Sequence, residues 1–148
     1  MKKSGAFCVV VFVLCTFVPS YAHHLAVVVA KDNGIDGITS TNLAKLFKAE
    51  SRKWPDGKNV VVILRRDSLA QMQTLERLDK LSEADLKNLF ASHKDSILFA
   101  DTDVDLLKMV QTVPGAIGLV DVHSINDKVR VVKVDGKLPL EDGYLPHH

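Results

Sequence analysis

Two arginines, an aspartate and a serine follow directly after the apolar run Val60–Leu64, and together they form the cluster Arg65-Arg66-Asp67-Ser68. The planar guanidinium fork of arginine suits phosphate, sulfate or carboxylate. In open α/β sheets, ligands bind at the carboxyl ends of strands, beside the N-termini of the helices that follow. The cluster of Arg65, Arg66, Asp67 and Ser68 is therefore predicted to bind a small anion.

The same four residues also have a purely structural interpretation. Arginines at a strand end are commonly solvated surface charges, and Asp67 or Ser68 is a normal N-cap for a helix. Both interpretations of the Arg65–Ser68 cluster stay open at the level of the sequence.

The sequence contains two histidine pairs, His23-His24 and His147-His148. Cleavage after Ala22 would make His23 the first residue of the mature chain, and the second pair closes the sequence. An N-terminal histidine can chelate copper through its amine and its ring nitrogen, and imidazole is a good ligand for copper or zinc. Terminal residues are usually poorly ordered, whereas a preorganised metal site needs rigid elements. No metal site is predicted, and His23 and His24 remain weak candidates.

Patterns typical of enzymes do not occur in the sequence. There is no Gly-x-Ser-x-Gly, no His-Glu-x-x-His and no cysteine nucleophile at motif spacing, so neither catalysis nor a cofactor is predicted. Asp101, Asp103 and Asp105 fail the calcium-loop pattern, because Leu106 and Thr112 occupy the positions of its glycine and glutamate. Asp101 or Asp103 is predicted to cap a helix instead.

The amino terminus has the form of a secretory leader. Lys2 and Lys3 precede the apolar run Ala6–Val18, and Ser20-Tyr21-Ala22 supplies small residues for signal peptidase. The run is shorter than the ~20 apolar residues of a membrane span. We therefore predict a signal peptide at residues 1–22, a periplasmic mature domain at 23–148, and no membrane-spanning segment in the mature protein.

Cleavage would remove both cysteines, Cys8 and Cys15, so the mature chain could form no disulfide. It would also remove Lys2 and Lys3, which takes the 19 basic residues just below the 18 acidic ones. A nearly neutral chain with interspersed charges gives no reason to expect nucleic acid or an anionic membrane as a partner.

Strand-like and helix-like segments alternate along the mature chain. The buried-strand patterns are Leu25–Ala30, Val60–Leu64, Ile97–Ala100, Ala116–Val120 and Val129–Val134, and the helical patterns are a segment ending at Phe47, about Asp67–Lys80, a segment from Ser82 and the segment before Pro114. This alternation predicts one α/β domain with a mostly parallel sheet covered by helices.

The segment before Pro114 shows how such a helix should end. Val104, Leu107, Val110 and Val113 suggest its apolar face, Pro114 stops it, and Gly115 is free to take a positive φ. Earlier in the chain, Trp54 begins a Trp-Pro-Asp-Gly turn and is predicted to close the edge of the core. The tail after Gly136 is predicted to be irregular.

Several segments occur in an order that resembles a known family: Leu25–Ala30, Thr41–Phe47 with its final Leu-Phe pair, Trp54, Val60–Asp67 and Thr112–Val120 with its Pro-Gly-Ala-Ile-Gly motif. This order is similar to that of the substrate-binding proteins of phosphate ABC transporters, and more closely to their small one-domain relatives. The resemblance covers nearly all of residues 25–134. It implies a single periplasmic-binding-protein-like lobe.

The resemblance also implies where an anion would bind. The matching lobe of the family contributes an arginine and an aspartate after a strand, then a Gly-Ser-Gly-Thr loop at a helix start. Arg65, Arg66 and Asp67 match the beginning of that motif, and Ser68 stands for its serine. Leu69-Ala70-Gln71 replaces the glycine-bearing turn, which departs from the family.

The function expected is non-catalytic binding of phosphate or another small anion as part of transport, with a membrane transporter as partner. One lobe cannot close over its ligand, so a second copy or another protein would complete the clamp. The alternative is an interaction or sensory module that kept the scaffold, lost the ligand and contacts a sensor. Metal binding by the terminal histidines is the third hypothesis.

Overall fold

The computed structural model describes residues 24–146. Its strands are β1 (Leu25–Ala30), β2 (Gly37–Ile38), β3 (Val61–Arg65), β4 (Ile97–Ala100), β5 (Ala116–Asp121), β6 (Val129–Val131) and β7 (Lys133–Val134). Its helices are α1 (Ser40–Phe47), α2 (Leu69–Asp79), α3 (Glu83–Ser92) and α4 (Asp103–Thr112), with a 3-10 turn at Val122–Ser124. The proposed leader, His23 and the His147-His148 pair lie outside the described residues.

The main sheet has five strands in the order β4-β3-β5-β1-β6. β3 runs parallel to β4 and to β5, whereas β1 runs antiparallel to both β5 and β6. Four of the five strands therefore share one direction and β1 alone is reversed. The predicted α/β class with a mostly parallel sheet is confirmed, and the reversal of β1 is an addition to it.

The sheet is buried on both faces, and alternate residues of each strand face different helices. Val27 and Val29 of β1 belong to the core beneath α1, α2 and α3, whereas Ala26 and Val28 pack on the side of α4. This alternation follows from the two-residue period of a strand. Both faces are apolar, which explains why β1 is a continuous hydrophobic run.

The single strand predicted over Val129–Val134 is wrong, because the chain divides there into two strands in different sheets. β6 pairs with β1, and Val132 N still donates to Val27 O over 2.9 Å. One residue later, Lys133 N donates to Asp36 O over 3.0 Å, and β7 pairs in parallel with β2. The change of hydrogen-bonding partner at Val132 separates the two strands.

The apolar face predicted for α4 is partly wrong. Leu106, Leu107 and Val110 are its buried residues, whereas Val104 is 62% exposed. The predicted cap is also wrong, because the N-cap is Thr102, whose hydroxyl accepts a hydrogen bond from Asp105 N. Asp101 and Asp103 flank this cap and form ion pairs with Arg66 and Arg65.

The end of α4 follows the prediction. The helix stops at Thr112, and Gly115 takes a φ of 75° before β5 begins. Trp54 is 7% exposed, and its Nε1 donates to the carbonyl oxygen of Gly115 over 2.9 Å. A Cβ on Gly115 would overlap the carbonyl oxygen of Asn59, so both backbone freedom and space require glycine here.

The tail contains no helix or strand after β7 within the described residues, as predicted, yet it is anchored to the core. Tyr144 is 3% exposed; its hydroxyl donates to Val132 O over 2.6 Å and accepts from Val27 N over 3.0 Å. None of the helices in residues 24–146 is long and apolar enough to cross a bilayer.

Candidate anion site

The Arg65–Ser68 cluster connects the end of β3 to the start of α2. Arg65 is the last residue of β3, and Ser68 is the N-cap of α2, accepting a hydrogen bond from Gln71 N over 3.3 Å. Between them Asp67 has a φ of 55°, a left-handed conformation that aspartate tolerates better than most residues. This sharp turn connects the end of β3 directly to the N-cap of α2.

Arg65 is held by a network that reaches α4. Its Nη1 lies 3.2 Å from Asp103 Oδ1, and Asp103 Oδ2 accepts a hydrogen bond from Ser124 Oγ over 2.7 Å. The Asp103 side chain is 16% exposed. Arg65 Nε is buried and has no hydrogen-bond partner in the described part of the chain. Because Asp103 is held by both Arg65 and Ser124, Arg65 is better placed to position its neighbours than to exchange Asp103 for a ligand.

Arg66 has a looser partner. Its Nη1 lies 3.3 Å from Asp101 Oδ1, and the two side chains are 57% and 71% exposed. Exposed ion pairs contribute only about 0–1 kcal/mol, so exchanging Asp101 for another anion costs little. Of the two arginines, Arg66 therefore has the positive charge more accessible to a ligand.

Gln71 contributes to the site, and sequence reasoning assigned it no role. Its side chain is 3% exposed; Oε1 accepts from Arg65 N over 2.9 Å, and Nε2 donates to Leu119 O over 2.8 Å. The signal was its spacing, since Gln71 precedes the buried Leu75 and Leu78 by four and seven residues on one helix face. The resemblance to phosphate-transporter binding proteins implied a glycine-bearing turn at this place. This chain instead has a buried glutamine that bonds the backbone of two strands.

A cavity of about 440 Å³ opens beside the cluster, between β3, α2, α3 and β4. It is lined by Leu64, Arg65, Arg66, Asp67, Ser68, Leu69, Gln71, Met72, Leu75, Glu83, Lys87, Phe90 and Phe99. The four cluster residues form one end, and leucine, methionine and phenylalanine side chains form most of the walls. The structure thus brings all four predicted site residues to one concavity, which we call the α2–α3 cavity.

Metal ligands are not gathered in the described residues. No group of three His, Cys, Asp or Glu side chains in residues 24–146 is arranged to hold a metal ion. His24 lies at the exposed start of the described chain. His93 Nδ1 lies 3.0 Å from Leu89 O within its own helix. His23 and His24 stay weak candidates for copper or zinc, since His23 lies outside the described range.

Two buried ionisable groups lie away from the α2–α3 cavity. Asp79, at the end of α2, is 2% exposed, and neither carboxylate oxygen has a hydrogen-bond partner among the described residues. Burial raises the pKa of Asp79 to about 7, a rise that nearby Lys48 partly offsets. Burial likewise raises the pKa of Tyr144 to about 12, although its hydrogen bond from Val27 N acts in the opposite direction.

This fold defines a class: a single periplasmic-binding-protein-like lobe, in which helices cover both faces of a mostly parallel sheet. It is similar to an ABC-type phosphate transport receptor from Vibrio cholerae, with 17% identity and a TM-score of 0.64 over 78% of this chain and 48% of that one. A second similar structure is described as a phosphate ABC transporter substrate-binding protein with bound phosphate from Clostridium perfringens, with 20% identity, a TM-score of 0.65 and coverage of 78% and 46%. A phosphate-binding protein from Stenotrophomonas maltophilia is similar as well, with 18% identity and a TM-score of 0.64 over 79% of this chain and 40% of that one.

The chain thus spans less than half the length of each of these solved structures. No protein-family model matches it, and no curated protein sequence does. The likeness in structure confirms the predicted fold of a phosphate-binding-protein-like lobe, while the identities of 17–20% leave the ligand to be argued from the residues themselves.

Proposed function

We propose that this protein is a non-catalytic periplasmic domain that binds a small anion, phosphate included, as part of solute transport. In this proposal residues 1–22 are a cleaved signal peptide and residues 23–148 form the working domain. The observation that carries it is the position of Arg66, whose exposed guanidinium stands at the polar end of a cavity beside the first turn of α2. The similar solved structures, which are phosphate-binding proteins by description, support it.

The chemistry of binding follows from two sources of positive charge. The first-turn amides of α2, at Leu69 and Ala70, have no intrahelical carbonyl to bind, and the helix dipole places partial positive charge there. Arg66 adds a full charge once an incoming anion replaces Asp101. Because a single lobe cannot enclose its ligand, we expect the affinity for the anion to be weak until a second copy or a transporter component covers it.

Calorimetric titration of the purified protein tests this function, with phosphate, sulfate and acetate as ligands. Mass spectrometry of the intact mature protein would verify cleavage after Ala22 if the mass equals that of a chain beginning at His23. We expect Arg66→Ala to lower anion affinity about tenfold, the loss typical of a charged hydrogen-bond partner. Arg130→Ala is the matched control, because Arg130 makes a comparable ion pair with the exposed Asp36 over 2.8 Å elsewhere on the surface.

The alternative function, an interaction or sensory module that lost its ligand, is favoured by a different observation. Both arginines of the cluster already have carboxylate partners, Asp103 and Asp101, and the exposed apolar side chains of Leu69 and Val104 lie close by. Such a surface suits a protein partner, such as a membrane transporter or sensor. Absence of heat with every anion, together with identical titrations of wild type and Arg66→Ala, would favour this function over the first.

A further inference from the structure

We propose that the ligand of the α2–α3 cavity is an organic anion with an aromatic or short aliphatic body, rather than free inorganic phosphate. The anionic group would meet Arg66 and the first turn of α2, and the apolar body would fill the remainder of the cavity. This inference rests on the proposed anion-binding function and names the class of ligand for the same site.

The walls of the cavity are the first argument. Phe90 and Phe99 meet edge to face, with ring centroids 5.5 Å apart and planes at 72°, and Met72 and Leu75 face the same space. A volume of about 440 Å³ falls in the size range of small-molecule sites, roughly 300–1,000 Å³, which are likewise mostly apolar with few polar groups. Free phosphate would contact only the polar end and leave the space between these walls without an apolar group to fill it.

The distribution of charge in the cavity is the second argument. At one end the charged lining residues are Arg65, Arg66 and Asp67. Arg65 stays paired with Asp103, whereas the guanidinium of Arg66 can exchange the exposed Asp101 for an incoming anion. At the other end Lys87 Nζ and Glu83 Oε1 lie 3.0 Å apart and balance each other. The lining therefore favours one negative group at one end and an uncharged body beyond it.

Leu69 is the third argument. As the first residue of α2 it stands directly after the N-cap Ser68, lines the cavity and is nevertheless 71% exposed. Exposed apolar side chains are unremarkable singly, but this one continues the apolar wall up to the anion-binding end. The apolar body of a ligand whose anionic group is bound at the first turn of α2 would cover Leu69 and remove its side chain from water.

Three probes of matched chemistry test the inference by calorimetry on the purified protein: inorganic phosphate, phenyl phosphate and benzyl alcohol. We expect phenyl phosphate to bind at least ~10-fold more tightly than inorganic phosphate, because burial of a ring adds apolar area to the same charge. Benzyl alcohol, which has the ring without the charge, should bind more weakly than phenyl phosphate.

Variants assign the difference to the cavity. Leu69→Ser keeps the backbone amide and removes the apolar side chain, so it should lower the affinity for phenyl phosphate more than the affinity for inorganic phosphate. Leu140→Ser is the matched control, since Leu140 is 69% exposed and is not among the lining residues. Met72→Trp, which fills the cavity, should abolish the preference for phenyl phosphate while phosphate still binds.

Other outcomes overturn the inference in distinguishable ways. Equal affinity for phenyl phosphate and inorganic phosphate would reject the organic ligand and retain the anion site. Failure of every anion to bind would reject both. Benzyl alcohol binding as tightly as phenyl phosphate would indicate an apolar site without anion recognition. A dimer in sedimentation experiments that Leu69→Ser abolishes and Leu140→Ser does not would make a second copy the occupant.

Discussion

The side-chain amide of Gln71 donates a hydrogen bond of 2.8 Å to the carbonyl oxygen of Leu119, and so ties the first turn of α2 to the middle of β5. Its oxygen accepts from Arg65 N at the end of β3. One buried side chain thus fixes the helix start relative to two neighbouring strands. The direction of the first-turn amides of α2 depends on this contact.

Replacing Gln71 by alanine should therefore be costly. The change would leave a buried donor at Arg65 and a buried acceptor at Leu119 without partners, each at about 1–3 kcal/mol. We expect the free energy of unfolding to fall by about 2–4 kcal/mol, measured by urea denaturation. Gln111→Ala, at a half-buried glutamine of α4, is the control and should change stability by less than ~1 kcal/mol. Equal losses in the two variants would contradict the assigned role.

The buried carboxyl of Asp79 should make stability depend on pH. Its folded pKa of about 7 lies above the ordinary value of 3.8, so the folded state favours the protonated form. This contribution is complete below pH ~4 and is lost as pH rises through ~7, so stability should fall by an amount on the order of 3 kcal/mol between pH 5 and pH 8. Urea denaturation at pH 5 and pH 8 measures the difference.

Asp79→Asn provides the comparison, because asparagine stays neutral at both pH values. The variant should be more stable than wild type at pH 8 and similar to it at pH 5. A wild-type pH dependence that the variant retains in full would assign the effect to another group. Asp127→Asn, at an exposed aspartate, should leave that pH dependence in place.

Gly118 is predicted to tolerate no larger residue, since β5 and α4 approach closely there. A Cβ at this position would lie 2.9 Å from Leu106 Cδ2 and 3.0 Å from Val110 Cγ2. Gly118→Val should therefore lower the free energy of unfolding by about 1–3 kcal/mol, the range for overpacked cores. Gly34→Ala is the control, because a Cβ there meets nothing within 4 Å. Thermal unfolding of both variants would compare the two positions.

Tyr144→Phe tests whether the irregular tail contributes to the fold. The change removes only the hydroxyl that bonds Val132 O and Val27 N, and leaves buried backbone groups unpaired. We expect a loss of about 1–3 kcal/mol in the free energy of unfolding by urea. Full stability would mean that the tail packs without these bonds. In the wild type the phenol should titrate only near pH 12, as followed by ultraviolet absorbance.

Local sequence was sufficient to predict most elements of the fold. Pro114 and Gly115 marked the end of α4 because their effects on the backbone need no distant partner. The reversed direction of β1 could not be predicted this way, since it depends on its pairing with β5, far along the chain. The prediction that Val104 lies on the buried face of α4 was wrong for a related reason, because the three-residue spacing did not reveal which face of α4 meets the sheet.

The candidate site shows the same division. The Arg65–Ser68 cluster was recognisable as the end of a strand and the start of a helix, and the structure places those residues so. Their partners were not recognisable, because Asp101 and Asp103 lie more than thirty residues further along and meet the arginines only through parallel pairing of β3 with β4. The apolar walls of the cavity likewise come from α3 and β4, which no motif joins to the cluster.

The tail packs against the first strand of the sheet through Tyr144. The hydroxyl of Tyr144 accepts a hydrogen bond from the backbone N–H of Val27, 117 positions earlier in the sequence, and β1 pairs with β5 and β6, which both follow α4. The central strand pairings therefore join segments far apart in sequence, and such non-local contacts predict slow folding.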